Sequence, residues 1–281
     1  MALALGLGRI GIKSKKGEDN MKRMQKMTQI SLSALCLGSA MTVLLSGPAA
    51  ADSAVLSGIY ANVSGSNHIS ISDGGIAASA QMALGDEGFN AQVDGGINSA
   101  SGTTNANIYN IDGLFYYRMP EGQFGGLGDY ISTIGMHSTH VIPYGAFGEY
   151  YFSDQITAGL EGGGLSSHLS SGEFVEGHLT GYVTPDFSIK GFDTYISVSH
   201  GQDNNIGVQA EYLITESIPI SVYGGYAYTD ISHTGVPDTT LNTFYFGLKL
   251  YTNGTGAPLV STQRNGVVDT SDLISAVRYG F

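Results

Sequence analysis

The sequence predicts an all-β fold, a closed antiparallel transmembrane β-barrel of about 12 strands within a range of roughly 8–14. Three observations predict it. Apolar and polar residues alternate in short windows, turn signals recur at regular spacing, and only 13% of the 281 residues are charged. Strict alternation has the period of a β-strand, whereas an amphipathic helix would show a period of 3.6 residues.

The charge is unevenly distributed along the chain. Residues 1–51 contain seven of the 12 Lys and Arg residues but only two of the 24 Asp and Glu residues. The remaining 230 residues therefore carry five bases and 22 acids, a formal charge of −17. Because phosphate neutralisation needs clustered Lys and Arg, this acidic balance argues against nucleic acid as a partner.

The first 51 residues have the pattern of an export signal. A basic segment opens at Met21, residues 30–45 carry no charge, and Ala49 and Ala51 form a small-residue cleavage site. We interpret residues 21–51 as a secretory signal peptide, with an N-terminal membrane anchor as the alternative. Residues 1–20 are interpreted as an over-long N-terminal extension, and residues 52–281 as the barrel. The single cysteine, Cys36, falls in the leader, so no disulfide is expected in the barrel.

Alternation defines the strands in chain order. In one window, Phe244, Phe246 and Leu248 alternate with Tyr245 and Gly247, and other windows repeat this pattern. Twelve strands are predicted in this way, at residues 54–64, 76–84, 88–99, 105–119, 122–133, 139–152, 156–167, 173–184, 187–200, 205–215, 218–231 and 239–251.

Turn signals separate the predicted strands at intervals of 31 to 35 residues, as at residues 120–122, 153–155 and 184–186. Each interval holds two strands and one longer loop rich in Gly, Ser, His and Asp. Tight turns at one end and longer loops at the other are the layout of a membrane β-barrel.

The sparse charge favours a barrel in lipid over a soluble β-sandwich. A soluble domain would surround its core with a surface of roughly 25–35% charged residues. Here the polar positions of the strands are mostly Gly, Ser, Thr, Asn and Gln, and aromatic residues cluster near strand ends, as at Tyr116–Tyr117 and residues 150–152. Such clusters are typical of the aromatic girdles at membrane interfaces.

The C-terminus carries a separate signal. Apolar residues alternate up to a terminal aromatic residue, at Leu273, Val277, Tyr279 and Phe281. This pattern resembles the end signal of Gram-negative outer-membrane β-barrel proteins, and the segment 148–154 is similar to porin hairpins. The resemblance implies location in the bacterial outer membrane, contact with its lipids, and recognition of the C-terminal signal by the outer-membrane barrel assembly machinery.

The last thirty residues allow two interpretations. Barrel ends both face the periplasm, so a strand at 272–281 would need an ascending strand before it. Residues 256–266 would supply that strand in a barrel of fourteen. Otherwise residues 252–281 are a tail, and the barrel has twelve strands, which we favour because residues 264–266 have the composition of a turn.

Charged residues on the polar positions of the strands are candidates for a pore lining. Rings of charged side chains set ion selectivity in channels, and a lining with few bases favours cations. The alternative is a plugged lumen in which acids and bases pair to satisfy buried charge. The predicted lining consists of Asp94, Asp112, Arg118, Glu149, Glu161, Glu176, His178, Glu211, Lys249 and Arg278.

The sequence thus favours a porin-like, passive, cation-preferring channel for small solutes. No enzyme activity, cofactor or metal site is predicted, and a homo-oligomer is left open. One alternative is a non-conducting structural or surface-recognition barrel that acts through its extracellular loops. A minor alternative is an outer-membrane lipid hydrolase, since five histidines fall near predicted loops, at His137, His140, His168, His200 and His233.

Overall fold

The structure is a computed structural model. It describes residues 54–66, 71–83, 88–101, 106–134, 139–167, 170–215, 219–235, 237–251, 256–266 and 268. The predicted extension and signal peptide lie outside the described residues, as do all four residues of the C-terminal signal. Among the described residues, no helix has the length and apolar character needed to cross a membrane.

The described residues form twelve strands and one short helix. The strands are β1 (Ala54–Ser66), β2 (Ile71–Ala83), β3 (Gly88–Ser101), β4 (Ala106–Met119), β5 (Gly122–Ile134), β6 (Thr139–Ser153), β7 (Ile156–Ser167), β8 (Ser171–Thr184), β9 (Phe187–Val198), β10 (Gly201–Thr215), β11 (Ile220–His233) and β12 (Thr239–Tyr251), and the helix is α1 (Leu259–Asn265).

The strands form a closed antiparallel barrel. Each strand pairs with its neighbours in the chain, and β1 pairs with β12 in a continuous register from Gly58 opposite Tyr251 to Ser66 opposite Thr243. Closure leaves no sheet edge, so every strand finds hydrogen-bonding partners on both sides. The prediction of an all-β antiparallel fold is confirmed.

Within residues 256–266, a described part of the chain after β12, no ascending strand is present. Residues 259–265 form helix α1, so the interpretation of 256–266 as a strand is wrong. Pro258, which lacks an N–H group for a strand ladder, immediately precedes this helix. The second predicted strand of that alternative, at 272–281, lies outside the described residues.

Apolar side chains lie on the outside of the barrel. Phe152, Leu160 and Phe244 are each 63% exposed, whereas interior residues such as Glu211 are 1% exposed. The apolar positions of the alternating strands therefore face outward, as a barrel in lipid requires.

One part of the interior is apolar, contrary to the expectation of polar side chains on all inward positions. A cluster of buried side chains from β4 to β9 faces inward near one end of the barrel. Its members are Ile108, Ile131, Val141, Leu165, Phe174 and Ile196. We call this end the far end, since the first residue of β1 and the last residue of β12 lie at the opposite one, the terminal end.

The connections differ from the predicted pattern. Turns at the terminal end are tight as expected, for example the two residues 154–155 between β6 and β7. At the far end, however, only Ser199 and His200 separate β9 from β10, and residues 201–204, which were predicted as a loop, belong to β10. Small polar residues such as Asn204 extend a strand when its neighbours continue the ladder, and Asn204 pairs with both Tyr195 and Asp230.

Candidate functional site

The candidate site is the interior of the barrel. Nine of the ten residues predicted to line a pore lie on the inward positions of β3, β4, β6, β7, β8, β10 and β12, and the tenth, Arg278, lies outside the described residues. Several are almost fully buried, including Asp94 at 5%, Glu161 at 6% and Glu176 at 4% exposure. The strands thus place these charged groups inside the barrel, and their role as a pore lining stays a prediction.

Three acidic residues form a row across β3, β4 and β5. Asp94 is opposite Asp112, and Asp112 is opposite Asp129 in the strand register. Asp129 was not among the predicted residues. The exposed side chains of Phe124 and Tyr130 mark the outward positions of β5, so the same parity rule places Asp129 inside.

A second acidic group surrounds His178. Its Nε2 lies 3.4 Å from Glu149 Oε1, and its Nδ1 lies 4.0 Å from Glu176 Oε1. Gln123 donates to Glu149 at 2.6 Å, and Thr194 donates to Glu176 at 2.6 Å. Short hydrogen bonds from neutral donors therefore hold both carboxylates in place on the interior wall.

Lys190 is a second interior residue that the prediction omitted. It lies on β9 between the buried residues Ser188 and Thr194, on the same inward parity, and it interacts electrostatically with Glu176. Its parity could have identified it, since Ile189 and Tyr195 mark the outward positions of this strand.

Glu211 is an interior carboxylate with several partners. Its Oε1 accepts hydrogen bonds from Ser221 at 2.5 Å and from Tyr251 at 2.6 Å. Its Oε2 accepts one from Gln263 at 3.1 Å and lies 3.5 Å from Lys249 Nζ. This arrangement links β10, β11 and β12 to helix α1.

Helix α1 lies against interior side chains at the terminal end. Leu259 packs with Leu213 and Tyr251, and further along Val268 packs with Tyr116 and Phe147. These partners come from β10 and β12 on one side and from β4 and β6 on the other. The segment from Leu259 to Val268 therefore crosses the mouth of the barrel at this end.

The histidines of the hydrolase alternative are spread over separate elements. His140 stacks on Tyr130 with ring centroids 6.1 Å apart, His200 lies in the β9–β10 turn, and His233 ends β11. His137 and His168 lie outside the described residues. Within the described part of the chain, no group of three or more His, Cys, Asp or Glu side chains is arranged to hold a metal ion.

The comparisons with known proteins concern the fold. No family model matches the chain, and no curated protein matches it. The solved structure of the KdgM porin aligns with a TM-score of 0.51 and 12% identity, covering 69% of this chain and 98% of that one. The NanC porin aligns with a TM-score of 0.52 and 12% identity, covering 68% and 98%. The chain therefore has the porin-like fold of an outer-membrane β-barrel.

Proposed function

We propose that the protein is a porin-like channel in the bacterial outer membrane that passes small solutes by passive diffusion. The observation that carries this proposal is the orientation of the side chains. Apolar side chains lie on the outside of the barrel, and a charged, hydrogen-bonded belt lies inside. A polar lumen inside an apolar wall is the arrangement of membrane channels built from strands. The porin-like fold supports the same function. Export by the signal peptide and insertion by the barrel assembly machinery are part of the proposal.

We further propose that the channel prefers cations. The inward residues identified above comprise seven carboxylates and three Lys or Arg side chains. The carboxylates are Asp94, Asp112, Asp129, Glu149, Glu161, Glu176 and Glu211, and the bases are Arg118, Lys190 and Lys249. In a low-dielectric wall such an excess creates a negative potential that attracts cations and repels anions.

Planar-bilayer recording tests both parts of the proposal. The refolded protein is expected to conduct and, in a KCl gradient, to give a reversal potential of the sign for K⁺ preference. The double substitution Glu149→Gln and Glu176→Gln removes two interior charges and is expected to reduce that potential. Glu121→Gln is the matched control, because Glu121 is exposed in the β4–β5 turn. An anion-selective reversal potential would contradict the cation preference.

A second candidate is a non-conducting barrel that acts through its far-end connections. The apolar cluster inside the far end and helix α1 across the terminal end favour it, because both occupy the lumen. A barrel of about twelve strands lies between small filled barrels and wide porins in size. Its width alone therefore does not decide whether the barrel conducts. Heat-modifiable gel mobility shows whether the protein is folded. Folded protein that never conducts would favour this candidate.

We propose no catalytic step for either candidate. Turnover of phospholipid by the refolded protein would contradict this part of the proposal.

A further inference from the structure

Helix α1 and the residues after it are bonded to opposite walls of the barrel. Gln263 contacts Glu211 on β10, while the backbone carbonyls of Asn265 and Gly266 accept hydrogen bonds from Arg118 on β4 at 2.9 and 3.0 Å. Strands β4 and β10 are six positions apart in the ring of twelve. The segment therefore spans the full width of the mouth.

The last described residue of this segment is joined to β3 by two hydrogen bonds. Gln92 Nε2 donates to the carbonyl of Val268 at 3.0 Å, and the amide of Val268 donates to Gln92 Oε1 at 2.9 Å. The side-chain amide thus acts as a strand partner for one residue of the segment. It holds the chain inside the wall beyond the end of the helix.

Arg264 attaches the helix to the rim between β6 and β7. Its Nε donates to Thr157 at 3.1 Å, and its Nη2 donates to the carbonyls of Ser153 and Ile156 at 2.5 and 3.2 Å. The guanidinium also lies over the rings of Tyr151 and Tyr182, at 4.7 and 5.4 Å from their centroids. These contacts are partly exposed, so water can replace them when the helix leaves.

Two charged groups of the wall that contact the segment, Glu211 and Arg118, keep partners of their own without it. Glu211 retains Ser221, Tyr251 and Lys249 when Gln263 is removed. Arg118 retains Gln123 at 3.1 Å. Leaving a buried polar group without a partner is what makes such a contact costly to break. Because these wall groups stay bonded, departure of the segment costs less than loss of a wall residue.

The helix itself depends on the wall. It has seven residues and no side-chain hydrogen bond at its N-cap, and isolated helices shorter than roughly 12–15 residues are marginal in water. Its apolar anchorage comes from Leu259 at one end and from Val268 at the other end of the segment. Its position is thus set by a limited group of replaceable contacts.

We infer that residues 256–266, together with Val268, are a displaceable plug, which closes the terminal end of the channel while bound and opens it on leaving. This inference rests on the proposed channel function. Solute then passes along the charged interior only while Gln263 and Arg264 are detached from the wall. Residue Glu211 acts as the docking point of the plug.

The test uses full-length protein in planar bilayers, with Cys36 replaced by Ser in every form. The release variant is Gln263→Ala with Arg264→Ala, which removes contacts of the plug but none within the sheet. The matched control is Ser261→Ala, since the described contact of that side chain is with Asn265 on the helix itself. The locked form pairs Leu213→Cys with Leu259→Cys, two members of one buried cluster, and is compared oxidised and reduced.

The release variant is expected to raise the open fraction roughly tenfold, equivalent to about 1.4 kcal/mol. The control is expected to match the parent protein, and oxidation of the locked form is expected to abolish conductance until it is reduced. Equal conductance of the parent, release and oxidised forms would overturn the plug while leaving the channel proposal standing. Absence of conductance from every folded form, including the release variant and the reduced locked form, would overturn the channel proposal and the plug with it.

Discussion

At the scale of single residues, the interior carboxylates are held by several hydrogen-bond donors rather than by one ion pair. Glu211 is an example, with two hydroxyl donors, an amide donor and one Lys around a side chain that is 1% exposed. A buried charge is tolerated only when it is paired and bonded in this way. Such residues are therefore structural as well as electrostatic.

The first prediction concerns Glu211. Replacement by Ala leaves Ser221, Tyr251 and Lys249 without this acceptor, so we expect the free energy of unfolding to fall by about 3 kcal/mol. Replacement by Gln keeps most hydrogen bonds, and we expect a loss of about 1 kcal/mol. Urea titration of refolding in detergent micelles measures both.

The control is Glu121→Ala in the exposed β4–β5 turn, which is expected to change stability by less than about 0.5 kcal/mol. Equal stabilities of the Glu211→Ala variant and this control would show that the network around Glu211 contributes nothing.

The interior residues could be predicted from the alternation of each strand. When the apolar positions face outward, charged side chains at the polar positions must face the interior. Parity alone identified Glu161, Glu176 and Glu211. Asp129 and Lys190 obey the same rule, but Asp129 lies in a glycine-rich strand with few apolar markers, and both were overlooked. The partners of these two side chains could not be predicted, because parity gives the face of a strand but not which side chains meet across neighbouring strands.

At the scale of elements, the strands were more predictable than the helix. Residues 239–251 were predicted as a strand, and β12 has those bounds. Helix α1 has the sequence LVSTQRN, which is too short to show a helical period, and it forms where the barrel wall supplies its partners. Sequence patterns report local preference, whereas this helix depends on tertiary contacts.

Close packing of β6 against β7 requires glycine at Gly163. A Cβ atom built there would overlap the backbone of Tyr144 and Gly145 on the neighbouring strand. Gly145 and Gly163 are opposite each other in the register. Two glycines therefore lie opposite each other where the neighbouring backbone leaves no room for a Cβ atom.

The second prediction follows from this contact. Because the backbone of β6 must move to accept a methyl group, Gly163→Ala is expected to lower the free energy of unfolding by about 1–3 kcal/mol. Gly128→Ala is the control, since a Cβ atom there has nothing within 4 Å. Urea-induced unfolding monitored by circular dichroism compares the two, and a Gly163 variant as stable as the control would argue against the close approach.

At the scale of the whole molecule, closure of β1 against β12 turns one alternating pattern into two separate surfaces. The outer surface carries Leu160, Val175 and Phe246, and the inner one carries the acidic belt. The sequence predicted this division, because it follows from parity and low charge. It did not predict how much of the lumen is filled, since that depends on how side chains from opposite walls, and helix α1, share the space.

Fluorescence quenching by lipid tests the central claim, that the apolar face meets the bilayer. The chain contains no Trp, so a single introduced Trp reports on its own position. Leu160 and Phe147 lie on adjacent positions of paired strands but on opposite faces, with Leu160 63% and Phe147 6% exposed. We compare Leu160→Trp with Phe147→Trp in vesicles of lipid brominated at mid-chain. The account predicts strong quenching for Leu160→Trp and weak quenching for Phe147→Trp, and the reverse order would contradict it.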